Sequence, residues 1–110
     1  MKENIINSLE KLFSGSTGEI RVTYRTSKLQ DIIKFDMLGH KITEKNGIIT
    51  VYDDKDGQTC DPKTITIDPV AVDSVVYEDD KSDSQRISSR NVVICLTDKS
   101  RIELGTMAIG

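Results

Sequence analysis

Tryptophan is absent from this 110-residue chain, and aromatic residues make up only 5% of it. Proteins that hold single-stranded nucleic acid stack its bases on aromatic rings, so a sequence this poor in rings lacks that platform. Cysteine occurs twice, at Cys60 and Cys95, and histidine once, at His40. Three isolated residues of these types form no zinc spacing, and no metal or other cofactor is expected. A reducing compartment would keep both cysteines as thiols. Cys95, inside the apolar run Val92 to Leu96, reads as a small core residue, and Cys60, between Thr59 and Asp61, as an exposed loop residue.

Proline is also scarce, with Pro62 and Pro69 alone, so no Pro-rich linker divides the chain. No internal repeat is visible, and the length suits one domain over 1–110. No run approaches the roughly 20 apolar residues that span a bilayer. Met1 to Phe13 carries Lys2, Glu3, Glu10 and Lys11 where a secretory signal needs an apolar block. The expectation is a cytoplasmic protein with no membrane partner.

Basic charge is short as well, since 15 Lys/Arg face 18 Asp/Glu for a net charge of −3. The halves differ: residues 1–55 hold nine Lys/Arg against eight Asp/Glu, and residues 56–110 six against ten. Non-specific affinity for nucleic acid comes from cations that displace counterions, so this balance disfavours it.

What is present is periodicity. Ile5, Ile6, Leu9, Leu12 and Phe13 share one stripe of an α-helix over residues 1–14, with Asn4, Asn7, Ser8, Glu10 and Lys11 outward. Ser14-Gly15-Ser16-Thr17-Gly18 signals its end. So short a helix is marginal alone and must dock its stripe, most simply on the sheet of its own domain. From Glu19 the apolar period becomes two: Ile20, Val22 and Tyr24 alternate with Arg21, Thr23 and Arg25, predicting a strand. Leu29 to Leu38 fits either period, and Ile33, Phe35 and Met37 favour a strand because a hairpin follows. That hairpin joins Lys41-Ile42-Thr43-Glu44 to Ile48–Tyr52 through Asn46-Gly47. Further strands are predicted over 63–67, 73–78, 91–97 and 101–104, with Pro69 as a break and Gly105 closing the last. The tail Met107 to Gly110 is apolar enough to dock against the helix. The fold expected is α+β and mostly β. Its N-terminal helix packs on an antiparallel sheet or small open barrel of six to eight strands within a body over 19–106.

Motifs for chemistry are weak. His40 has no neighbours that would tune it as a base, and there is no nucleophile elbow, phosphate loop or His-Glu-x-x-His run, so no enzyme is expected. Asp54-Lys55-Asp56-Gly57 invites comparison with a calcium loop, but the first ligand position would be Tyr52 and the bidentate acid Lys63. Arg21, Arg25, Lys28 and Lys34 would make a small basic patch, with Tyr24 on the opposite face, and read as charges that guard a sheet edge.

The acidic residues are more informative. Glu78, Asp79, Asp80 and Asp83 fall in a segment, 78–90, that reads as a flexible loop with Ile87 as its one large apolar residue. Together with Asp53, Asp54 and Asp56 they form the candidate partner-binding set, since acidic loops on a rigid sheet attract a basic surface. The leading expectation is a non-catalytic protein-binding module. One concrete form is a small phage or mobile-element inhibitor that offers carboxylates to a host nucleic-acid-handling protein in place of phosphates. The alternatives are an assembly subunit that forms a homo-oligomer through its sheet edge and helix, or a β-barrel for a small ligand.

Overall fold

The apolar stripe does form a helix, α1 (Lys2–Phe13), which buries Ile5, Leu9 and Leu12 completely and Ile6 and Phe13 in part. Glu3 lies in its first turn and Lys11 in its last, each the sign that the helix dipole favours. The computed structural model describes residues 1–14, 20–28, 31–37, 40–53, 64–81 and 88–106. Ser14 is already extended, at φ −67° and ψ 129°, so the helix ends at Phe13, two residues before Gly15. The amide of Ser14 still donates to the carbonyl of Glu10 at 2.8 Å.

Eight strands follow among the described residues: β1 (Ile20–Arg25), β2 (Asp31–Met37), β3 (His40–Lys45), β4 (Ile48–Asp53), β5 (Thr64–Ile67), β6 (Val72–Lys81), β7 (Ser88–Leu96) and β8 (Arg101–Thr106). They make two antiparallel sheets, one of five strands in the order β2-β1-β8-β7-β6 and one of three in the order β3-β4-β5. The α+β, mostly β class and the open antiparallel arrangement therefore hold, with the strands divided between two sheets and no closed barrel among the described residues. The joint between the outer hairpins is the pairing of β1 with β8, Ile20 opposite Thr106 through Arg25 opposite Arg101. Contacts so distant in sequence leave no local signal.

Alternation assigns the faces. Along the five-stranded sheet Met37, Ile20, Val22, Leu104, Ile102, Val92 and Ile94 point inward and are buried. Ile49, Val51, Ile65 and Ile67 do the same in the smaller sheet. Both sets join Ile5, Leu9 and Leu12 in one apolar cluster. Each such side chain contributes about 1.5–3 kcal/mol through burial.

The helix is strapped at both ends. Lys2 Nζ lies 2.7 Å from Glu44 Oε1 on β3, and this partner raises the lysine's pKa above its ordinary value. At the other end α1 packs on β6 and β7.

The turns obey their chemistry. Asn46 and Gly47 take φ values of 55° and 83°, the pair of positive angles that a two-residue hairpin requires. Pro69, which has no N–H to satisfy, begins one turn of 3-10 helix, Pro69–Ala71, and the next amide, Val70 N–H, donates to Asp68 Oδ1 at 3.1 Å. The β7–β8 turn is tied by Ser100, whose amide and hydroxyl both donate to Asp98 Oδ1. These donors hold the Asp98 carboxyl below its usual pKa, the hydroxyl bond being the larger cause.

Four expectations need correction. The segment 78–90 is not one loop: β6 runs through Lys81 and β7 starts at Ser88, with Glu78 opposite Asn91, Asp79 opposite Arg90 and Asp80 opposite Ser89. Backbone pairing to β7 outweighs the polarity of the side chains, because an exposed strand needs no apolar residue where its faces meet water. Cys95 is half-buried on the outer face, since the register that turns Val92 and Ile94 inward turns Cys95 outward, opposite Arg101. Gly105 lies within β8 and does not close it, for it pairs with both Arg21 and Asn91. Asp53 is the last residue of β4, opposite His40, and not the first of a loop. Cys60, the calcium-like run 54–57 and the tail 107–110 lie outside the described residues.

Candidate functional site

The strongest site-forming feature is the outer strand of the larger sheet. β6 is ten residues long and pairs only with β7, so its other side is an open edge among the described residues. The other outer strands are shorter, with seven residues in β2, six in β3 and four in β5. An open edge presents alternate N–H and C=O groups with no ladder partner, and these must be satisfied by water or by another chain.

Several side chains along β6 are exposed: Asp73, Val76, Glu78 and Asp79. Val76, opposite Val93, is 44% exposed, a large apolar side chain left in water beside the edge. Pairing puts Glu78 with Asn91 on the outer face and Asp79 with Arg90 on the helix side. The carboxylates of Glu78 and Asp79 therefore flank the edge from two directions. At the start of β6 the register shifts between Val72 and Ser74, a bulge that bends the strand end.

β6 is braced from behind. Lys11 Nζ sits 5.7 Å from the centre of the Tyr77 ring, and Arg90 Nη1 donates to the carbonyls of Ser14 at 2.7 Å and Lys11 at 3.2 Å. A rigid support matters for an edge that is to accept a strand, because less motion is lost on binding.

Of the sequence-predicted set, Glu78, Asp79 and Asp80 lie together on β6, while Asp53 belongs to the three-stranded sheet. Asp54, Asp56 and Asp83 lie outside the described residues. Sequence reasoning missed Asp73, Val76, Tyr77 and Arg90 as parts of this site. Their signal was the continued alternation from Val75 and Tyr77 into Asp79, which the density of acids obscured.

The outer face of the same sheet holds a wide-mouthed depression of about 370 Å³ over Arg21, Thr23, Asn91, Glu103 and Gly105. Its charges are partnered within the protein: Arg21 Nε lies 3.0 Å from Asp36 Oδ1, and Arg25 Nε 3.0 Å from Glu103 Oε2. The facing Nε and Oε2 atoms of the second pair are covered although both side chains are partly exposed, and they are poorly aligned for a hydrogen bond, so the pair acts as an ion pair. The floor is Gly105, where an added Cβ would lie 2.4 Å from Asn91 Oδ1. This polar dip differs from the deep apolar pocket that a small-ligand barrel calls for.

Among the described residues no three His, Cys, Asp or Glu side chains converge in a group that could hold a metal ion. No described helix is long and apolar enough to cross a membrane. Comparisons of the chain with protein-family models, with curated proteins and with solved structures found no match.

Proposed function

We propose that the chain is a non-catalytic protein-binding module whose working surface is the acidic β6 edge, recognising a partner with a basic surface. The observation that carries this is the position of β6: the longest outer strand, open on one side among the described residues, with Asp73, Glu78 and Asp79 exposed along it. Carboxylates on a braced strand attract cations over several ångströms and favour encounter with a basic face. An inhibitor that offers carboxylates where a nucleic-acid-handling protein receives phosphates is a specific form of the same role.

The test uses the full chain immobilised against an extract of the organism that encodes it. A variant carrying Glu78→Gln, Asp79→Asn, Asp80→Asn and Asp83→Asn serves as comparison. Wild type should retain a basic protein that rising salt releases, and the variant should lose it. Equal retention by both chains would contradict the proposal.

A further inference from the structure

Resting on that protein-binding role, we infer that β6 recruits its partner by strand addition: an extended segment of the partner pairs with β6 as a sixth strand of the larger sheet. Four features lead there. The edge is long enough, at ten residues, to make a ladder of alternate backbone hydrogen bonds that no described strand supplies. Arg90 and Lys11 hold its sheet and helix in place, so the edge is preformed. The side chains beside it select the occupant: a cation opposite Glu78 on the outer face, a second cation next to it opposite Asp79 on the helix side, and an apolar residue opposite Val76. A second copy of β6 is the poorer occupant, because it would add further carboxylates to a seam already lined by Asp73, Glu78 and Asp79.

The chemistry specified is therefore an extended peptide with two adjacent Lys or Arg residues and a small apolar residue two positions away. Affinity comes from the backbone ladder and selectivity from the two charges.

The probe is a nonapeptide of threonines bearing a Lys-Lys pair two residues from a Val, titrated into the 110-residue chain. Two further peptides carry N-methyl groups on alternate amides, one set facing β6 and the other facing away. The first should bind at least tenfold more weakly than the parent, since its facing donors are gone, and the second should bind like the parent. Amide exchange in the complex should slow at alternate residues of β6. Equal binding by both methylated peptides, or slowed exchange elsewhere than β6, would overturn strand addition while leaving the acidic surface as a charge-only site. Absence of binding by the parent peptide would overturn it too, and the extract experiment then decides the protein-binding role separately. A stable dimer by sedimentation with β6 amides already protected would assign the edge to a second copy and overturn the inference.

Discussion

Arg90 Nη1 lies 2.7 Å from the carbonyl oxygen of Ser14, so a side chain from β7 closes the end of α1 seventy-six residues away in sequence. A helix leaves its last carbonyls without partners, and a cation there both donates to them and opposes the negative end of the dipole. The same guanidinium reaches Lys11 O at 3.2 Å, which fixes its orientation.

Replacing Arg90 with Met keeps the aliphatic stem and removes both donors. Stability should fall by about 1–2 kcal/mol, the range for a partly exposed charged hydrogen bond pair. Chemical denaturation of wild type, Arg90→Met and Arg90→Lys measures it, with lysine recovering part of the loss. No loss in the methionine variant would mean that the helix end is held by packing alone.

Gly105 and Asn91 form a second coupled pair. A Cβ at position 105 would come 2.4 Å from Asn91 Oδ1, so Gly105→Ala must push the amide aside. The amide is the end of a side chain, and the expected loss is modest, about 1 kcal/mol. Adding Asn91→Ala should return most of it, giving a coupling energy between the two sites. Additive effects in that double-mutant cycle would rule out the contact.

Lys99 sits at φ 71° in the β7–β8 turn, a left-handed conformation that crowds a Cβ. Lys99→Gly should stabilise the protein by about 0.5–1 kcal/mol after allowing for the extra freedom of glycine in the unfolded chain. Lys99→Ala keeps the strain and should show no such gain in thermal denaturation.

The same turn gives a pH dependence. Bonds from Ser100 depress the folded-state pKa of Asp98 below the ordinary 3.8, so its contribution is present above that value and is lost as pH falls through the depressed one. Asp98→Asn should therefore be less stable than wild type near neutrality, and the gap should close below about pH 3.8. Lys2 has the opposite sign: Glu44 raises its pKa, and its contribution fades only as pH climbs past 10.5.

Much of the architecture was readable because one period governed each stretch. The stripe from Ile5 to Phe13 could only be a helix face, and Asn46-Gly47 could only be a tight hairpin. The ambiguous segment resolved as β2 because Ile20 opposite Met37 and Val22 opposite Phe35 continue the inner face of the sheet. What stayed hidden was long-range. The pairing of β1 with β8 divides the strands into two sheets, and no neighbouring residue announces it. The candidate site was legible in composition and misread in form. Glu78 to Asp80 look like loop residues until pairing with Asn91, Arg90 and Ser89 makes them the continuation of β6. That change matters for function, since a loop would offer carboxylates alone while a strand also offers its backbone.

Hydrogen exchange of the individual β6 amides in the free protein tests this account most directly. Residues whose N–H groups face β7 should exchange slowly, and those between them, facing the open side, should exchange fast, giving alternation from Val75 to Lys81. Uniformly fast exchange would mean that Glu78 to Asp80 are not in the sheet, and uniformly slow exchange that the edge is already covered; either result would contradict it.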